Sequence, residues 1–441
     1  MAKKKASQDD ITVAPEALGA DAYSDECDLL QAALRKNGGM MTHDETLLRL
    51  GGIAMPSLCL RYLFCQDTLP FGRIMTLSGL FRSNKTALSL EMSRWLILHG
   101  GMCTYNSVEE KDSPGMREAI FRHNAKLLNR IGVKECHNQE EWQQSVSTQV
   151  DVINNWSKKN NDKMCIPGVS IVDSVAAAVP KAEVNAFMKE KGGAGYRGYA
   201  TVALLNSSWM SNITHLVSAG PHILLLIQHS SEQPVEGIPG ATVRKQKGGM
   251  EIAFSKTTSL EMTRIKDLKE TDSGGGVMIE IKCTKNSLGP TGRAIRVNAK
   301  WWWVMDPETG LPQQHYVWDW HDASIELLLG FEAAKGRSTT WKSLKDICDL
   351  HVVSGRRVWS RALGIPQDSP VKYREASEIL EYDHPELLKP IYELLHIERR
   401  PMFVPGGDLN AVWKGRVPIT DLPLPPPYGR EPILGVGAED E

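Results

Sequence analysis

The chain has 441 residues, with 51 Lys and Arg against 53 Asp and Glu, a formal net charge of −2 and 41% hydrophobic residues. That length implies two or three units and allows a large core without covalent staples. The near-neutral balance excludes a globally basic nucleic-acid binder, so any polynucleotide surface must be local; eight scattered cysteines without a C-x-x-C pair exclude a zinc module or disulfide framework and fit a reducing compartment.

Residues 1–25 are polar and small and read as an arm, and Lys3, Lys4 and Lys5 are followed by no apolar h-region, so no secretory signal is expected. Leu29, Leu30, Ala33 and Leu34 recur at helical spacing over 28–36, closed by Asn37-Gly38-Gly39. A second short helix is expected over 56–64, leading into a turn at Leu69-Pro70-Phe71-Gly72. The next stretch, 72–86, organises the chain. Its apolar run from Ile74 to Leu77 reads as a buried strand, followed by a tight loop and a helix carrying Leu88, Leu90, Met92, Trp95 and Leu96. Strand, loop and helix in that order make a phosphate cradle, because loop and first-turn N–H groups and the positive end of the helix dipole face one hollow. In the pattern G-x-x-x-x-G-K-[ST], Gly79, Lys85 and Thr86 fit, Leu80, Phe81, Arg82 and Ser83 fill the loop, and Ala87 continues the first turn. Asn84 stands where the second glycine is expected, and Asn is among the residues most tolerant of positive φ. The same residues also read as an ordinary strand–turn–helix with a coincidental Lys-Thr pair.

A strand is expected over 103–106, then the charged loop Glu109-Glu110-Lys111-Asp112 and helices over 114–130 and 139–160. The buried strand Val169-Ser170-Ile171-Val172 ends in Asp173-Ser174. An aspartate there suits a Walker-B carboxylate that holds Mg²⁺ opposite Thr86, or a simple turn cap. The run from Leu216 to Ile227 is interrupted by Pro221 and His222, so no membrane span is expected and the protein reads as soluble and cytoplasmic. The strand Ile223 to Ile227 ends in Gln228. Strands alternating with helices predict an α/β fold with a mostly parallel central sheet, with ligand at the carboxyl ends of the strands, where Lys85, Thr86, Asp173 and Gln228 fall.

Two segments resist assignment to the core. One carries Lys189, Lys191, Tyr196, Arg197 and Tyr199 among glycines; the other, 230–249, closes with Arg244, Lys245, Lys247, Gly248 and Gly249. Cations that track phosphates and rings that stack on bases suit single-stranded nucleic acid, and solvated flexible loops suit the same composition. Strands are expected over 252–254, 277–281 and 294–297, with a hairpin turn at 306–310. Trp301, Trp302, Trp303, Trp318 and Trp320 suggest a stacking platform or, with fewer assumptions, cross-strand packing. Helices are expected over 323–334, 341–351, 356–363 and 385–395, the last with an Asp383 cap and Pro385 in its first turn, and a Pro/Gly-rich acidic tail follows from 401.

The order of these signals resembles the RecA family of DNA strand-exchange ATPases, including divergent phage-encoded members. Leu69-Pro-Phe-Gly-Arg-Ile74 resembles the family's lead-in to its P-loop, and Val172-Asp-Ser-Val-Ala-Ala177 with Pro180-Lys-Ala-Glu183 resembles its Walker-B stretch. The spacing from Lys85 places Glu109 at the water-activating glutamate, with Glu110 as a possible swap, and Gln228 at the γ-phosphate sensor. The two basic segments fall at the family's DNA-binding loops. Lys285, with Lys282 substituting for a second lysine, falls where the family reaches ATP on the neighbouring subunit. Met116 stands where the family often has an adenine-stacking tyrosine, so that pocket is not carried over.

The resemblance implies a RecA-like P-loop ATPase core over 69–320, an arm and polymerisation helix over 1–68, a helical C-terminal domain over 321–400 and a tail over 401–441. It implies ATP and Mg²⁺ as cofactors and a DNA-dependent ATPase activity. The expected partners are single-stranded DNA, double-stranded DNA during exchange and further copies of the chain in a helical filament. A hexameric RecA-fold helicase and a weakly hydrolysing DNA-binding filament protein are the alternatives.

Overall fold

The computed structural model describes residues 51–109, 114–159, 166–183, 185, 199–234, 242–246, 250–271, 274–307, 309–333, 344 and 347–400. The chain divides into units Met1–Thr46 and Leu47–Glu441. The first unit, with the helix expected over 28–36, and the tail from 401 lie outside the described residues.

In chain order the described elements begin with β1 (Gly52–Ala54), α1 (Leu58–Phe64), β2 (Thr68–Pro70), β3 (Arg73–Gly79), α2 (Lys85–Leu98) and β4 (Met102–Ser107). There follow α3 (Pro114–Ile120), α4 (Ala125–Leu128), β5 (Ile131–Glu135), α5 (Gln139–Lys159), β6 (Gly168–Asp173) and α6 (Tyr199–Ser218). Next come β7 (His222–Pro234), β8 (Thr242–Gln246), α7 (Met250–Ser255), β9 (Thr258–Thr271), β10 (Gly274–Asn286), β11 (Ala294–Met305) and β12 (Pro312–Trp318). The last are α8 (Trp320–Ala333), β13 (Leu350–Val353), β14 (Arg357–Ser360), β15 (Val371–Lys372), α9 (Tyr373–Glu378) and α10 (Leu388–Leu395).

A ten-stranded sheet in the order β12-β11-β10-β9-β3-β7-β6-β4-β5, with β8 on β7, dominates the fold. From β9 to β5 every neighbour is parallel, and β10, β11 and β12 extend one side antiparallel. The expectation of a mixed α/β fold with a large, mostly parallel central sheet holds. Strands covered on both faces read as continuous apolar runs, and their period of two still sorts the side chains. Met75, Leu77, Ile171, Leu225 and Ile227 join Leu88, Trp95 and Leu96 of α2 on one face. Ile74, Val172, Leu224 and Leu226 join Trp142 and Val146 of α5 and Met210 and Ile213 of α6 on the other. Each such side chain contributes about 1.5–3 kcal/mol when buried, so the two faces together fix the register of β3, β6 and β7.

Several elements differ from expectation. The run 252–254 is part of helix α7, not a strand. Ile252 is fully buried while Phe254 is 69% exposed, and a short apolar run does not distinguish the two states by period alone. The helix expected over 114–130 breaks after Ile120, where Arg122 and His123 both take φ 54, and resumes as α4. The edge strand β5, largely exposed and carrying only Ile131 and Val133 as apolar residues, was not expected. The C-terminal region is not all helical. Residues 356–363, expected as a helix, fall in a hairpin of β13 and β14 that turns through Gly355 (φ 70) and Arg356 (φ 55), with β15 as its third strand. Val352, Val353, Val358 and Trp359 favour strands, and the intervening Ser-Gly closes the turn. Of the helix expected over 341–351, residues 341–343, 345 and 346 lie outside the described residues, 344, 347 and 348 are helical, and Leu350 and His351 belong to β13. The turn before α10 starts at Pro385 with His384, not Asp383, at its N-cap. Trp302 packs across strands, opposite His315 in register and stacked on it at 5.9 Å, whereas Trp318 at the end of β12 stacks on Trp320 at the start of α8 at 5.2 Å and Trp303 is 52% exposed.

A second core of Leu58, Ile325, Leu328, Val358, Leu380, Ile391 and Leu395 joins α1 to the C-terminal elements. Beside it Asp67 is fully buried and accepts the Arg400 N–H at 2.9 Å. Burial pushes its carboxyl up to about 6, against the opposing pull of the Arg400 N–H and the Arg61 guanidinium. A carboxyl whose folded pKa is raised from 3.8 contributes stability that is complete below that value and is lost as pH rises through about 6. Asp67→Asn removes the titration, so its stability relative to the parent is expected to rise by about 2 kcal/mol between about pH 4.5 and about pH 8 in urea unfolding. A pH-independent difference would contradict this.

Candidate active site

The carboxyl ends of β3, β7, β6 and β4 meet along one sheet edge, and the residues singled out there come from each of them. At the end of β3, Gly79 (φ 153) runs against β9: a Cβ there would lie 2.4 Å from the Met262 carbonyl oxygen. Only a residue without a side chain fits. The loop then turns through Arg82 and Asn84, both at φ 60, and Asn84 serves as N-cap of α2 with ψ 29. The left-handed geometry usually supplied by glycine is thus adopted by asparagine. Its amide Nδ2 donates to Tyr316 Oη of β12 at 2.6 Å, which ties the loop to the antiparallel wing.

Tyr316→Phe leaves the partly buried Asn84 amide without this acceptor and is expected to cost about 1 kcal/mol in urea unfolding. Asn84→Gly in the same chain should recover most of the loss, because glycine needs no anchor at positive φ. A double variant no more stable than Tyr316→Phe alone would contradict the anchoring.

Lys85 is 5% exposed and folded back over the loop, its Nζ donating to the carbonyls of Gly79 (3.1 Å) and Leu80 (2.8 Å) and to Ser83 Oγ (3.2 Å). Ser83 Oγ in turn donates to the Leu80 carbonyl at 2.8 Å. Ala87 is buried under the loop, and Phe81 at its tip is 68% exposed with the Arg82 guanidinium 5.6 Å from its ring centre. Thr86 Oγ1 donates to Asp173 Oδ2 at 2.6 Å, and Tyr105 Oη of β4 donates to the same oxygen at 2.7 Å. Burial pushes the Asp173 carboxyl up from its ordinary value, and the Thr86 and Tyr105 hydroxyls oppose that.

Glu109 lies just past β4, its N–H 3.4 Å from the Asp173 carbonyl, with Val108 N–H donating to that carbonyl at 2.8 Å. Glu109 Oε1 meets His229 Nε2 at 2.6 Å and also accepts from Ser174 Oγ. Gln228 is 2% exposed and pairs in register with Ser78, next to the start of the loop.

Lys85, Thr86, Asp173, Glu109 and Gln228 are therefore brought together. Lys282 and Lys285 are not: both lie on β10, and Lys285 Nζ donates to the Ala253 and Phe254 carbonyls at the end of α7. Of the expected polynucleotide contacts, Lys189, Lys191, Tyr196, Arg197, Lys247, Gly248 and Gly249 lie outside the described residues, as does Glu110. Tyr199 opens α6. Arg244 and Lys245 lie on β8, opposite Glu232 and Ser231 of β7, so much of the segment 230–249 is a β-ribbon and not an irregular loop. Tyr105, Ser174, His229 and Tyr316 were not singled out by sequence. His229 directly follows a marked strand end and could have been; Tyr105 and Tyr316 reach the site only through the sheet. Among the described residues no group of three or more His, Cys, Asp and Glu side chains could hold a metal ion by itself.

No protein-family model matches the chain. The "DNA repair protein recA homolog 3, mitochondrial" of Arabidopsis thaliana is 27% identical over 229 residues, 52% of this chain and 48% of that protein. "Protein RecA" of Lactobacillus delbrueckii subsp. bulgaricus is 24% identical over 276 residues, 61% of this chain and 76% of that protein. "Protein RecA" of Bacillus cereus is 23% identical over 354 residues, 78% of this chain and 94% of that protein. This distant homology, on a mixed α/β core with a large central sheet, supports membership of the chain in the RecA superfamily.

Proposed function

We propose that this chain is a divergent, phage-like RecA-type recombinase: a DNA-dependent ATPase that forms filaments on single-stranded DNA and pairs it with homologous duplex. The observation that carries the reading is the convergence of Lys85, Thr86, Asp173 and Glu109 at the sheet edge beside the loop that leads into α2. Such an arrangement suits a nucleoside triphosphate. Loop N–H groups and the helix dipole take the phosphates, and Lys85 exchanges its loop carbonyls for β- and γ-phosphate oxygens. Thr86 and Asp173, hydroxyl beside carboxylate, fit a shared Mg²⁺, which when bound offsets the negative charge of the triphosphate. Glu109 accepts the proton of the water that attacks the γ-phosphorus, and the bond to the ADP oxygen breaks, releasing ADP and phosphate.

Gln228 sits where β7 leaves the sheet for the β7–β8 ribbon, so a contact to the γ-phosphate would order that ribbon and, through Arg244 and Lys245, its grip on DNA. Lys282 and Lys285 would serve the site of the adjacent subunit, and the cytoplasm is the proposed compartment. The test is ATP hydrolysis with and without single-stranded DNA, together with electron microscopy of the chain on that DNA. DNA-stimulated hydrolysis and open helical filaments are expected. Closed rings would favour a hexameric helicase, and ATP binding without turnover a passive DNA-binding filament protein.

A further inference from the structure

Glu109 does not stand alone at the site. Its Oε1 is shared by two donors from different strands: Ser174 Oγ, just past β6, and His229 Nε2, from β7, at 2.6 Å. The pair is mostly shielded from water, the Glu109 side chain being 10% and that of His229 28% exposed. Shielding of that degree makes the bond stronger and more directional than an ion pair at the surface. His229 is also singular in its position on the strand. It lies opposite Gly79 in the β3–β7 register, the last such pair. The next residue, Ser230, is the first to pair with β8, opposite Gln246. The imidazole therefore stands at the joint between the rigid parallel sheet and the ribbon, with its backbone the last to pair with β3, one residue before the ribbon, and its ring on the carboxylate.

We propose that His229 is a positioning residue that transmits the placement of the β7–β8 ribbon to the Glu109 carboxylate. The inference rests on the reading of Glu109 as the water-activating group and of the ribbon as a polynucleotide contact. A shift of the ribbon, which begins at the next residue, bears on the His229 backbone, and a ring held to Oε1 at 2.6 Å carries the carboxylate with it or releases it. Proton abstraction depends steeply on where the base points. Polynucleotide binding on the ribbon therefore changes turnover through this one hydrogen bond, independently of any contact Gln228 makes with the phosphates. Asp173, whose carbonyl accepts the Val108 and Glu109 N–H groups, keeps the peptide of Glu109 in place while its side chain is re-aimed.

The experiment measures kcat and KM for ATP with and without single-stranded oligo-dT in the parent, His229→Ala, His229→Gln, Glu109→Gln and the pairing of His229→Ala with Glu109→Gln. The amide of glutamine reaches about as far as Nε2 and can donate the same bond. His229→Ala is expected to lower the ratio of stimulated to unstimulated kcat at least about tenfold with KM for ATP within about twofold, and His229→Gln to restore most of that ratio. In the Glu109→Gln background, His229→Ala should change neither rate further, because the residue acts through that carboxylate. A His229→Ala protein that keeps the parental ratio, or loses rate equally with and without DNA, overturns the inference and leaves the proposed function standing. A His229→Gln protein as defective as His229→Ala overturns it too. If the parent itself shows no DNA-stimulated turnover, the proposed function fails and the inference falls with it.

Discussion

Replacing Lys85 with Ala is expected to lower kcat for ATP hydrolysis by at least about a hundredfold, the usual cost of removing a preorganised charge from a phosphoryl-transfer site. Charge develops on phosphate oxygens as the γ-phosphoryl leaves, and a cation already stripped of water offsets it far more effectively than one in solvent. Lys85 meets that condition at 5% exposure, on the first residue of α2, where the loop closes around it. Its ammonium is satisfied by Gly79 O, Leu80 O and Ser83 Oγ, acceptors that phosphate oxygens can replace without a large movement of the stem. The same contacts mean that Lys85→Ala also loosens the loop, so thermal unfolding must accompany the kinetics. Lys85→Arg serves as the companion variant, keeping the charge while overfilling the hollow, and is expected to bind nucleotide but turn over poorly. A folded Lys85→Ala protein with parental DNA-stimulated turnover would remove the assignment of this loop to phosphate chemistry.

Glu381→Ala is expected to cost about 3–5 kcal/mol of stability, the range for breaking a buried ion pair by removing one partner. Arg61 Nη2 and Glu381 Oε2 are 3.1 Å apart, with side chains 4% and 3% exposed. Arg61 also donates through Nη1 to Tyr392 Oη at 3.0 Å and through Nε and Nη2 to the Met55 carbonyl at 3.1 and 2.9 Å. Glu381 Oε1 meanwhile accepts the Leu58 N–H at 3.1 Å, capping the first turn of α1, where Ser57 makes no side-chain cap. Removing the carboxylate leaves a buried cation and an uncapped helix start in one change. Substituting both partners, Arg61→Met with Glu381→Leu, replaces the pair by apolar groups and should recover most of the loss. Guanidinium unfolding of the single and double variants checks this. Equal instability in both would show that packing, and not the stranded charge, sets the cost.

How far the chain could be read in advance follows from what each element depends on. The strand from Ile74, the loop to Lys85, the helix through Trp95 and the strands ending at Asp173 and Gln228 were legible because their signals are local. Each is an apolar run ended by a loop, or a helix with its apolar residues correctly spaced. The ribbon of β7 and β8 was read as an irregular loop, because its pairing joins Ser230 to Gln246 and has no period within either segment. The same limit applies to α7, where three apolar residues suited either state, and to β13 and β14, whose valines suited the strand they became.

From the sequence alone came the order of elements around the loop from Gly79 to Lys85, the residue types at the strand ends and the resemblance in which they fit. Local spacing determines these, through backbone geometry and the burial of apolar runs. Only the tertiary structure decided that Asn84 is anchored by Tyr316, that Tyr105 shares Asp173 with Thr86, and that His229 holds Glu109. Those contacts join residues 232, 68 and 120 positions apart. The last two exist because parallel strands distant in sequence end side by side, and the first because the antiparallel wing brings β12 to the loop before α2; no local pattern of charge or hydrophobicity encodes either proximity.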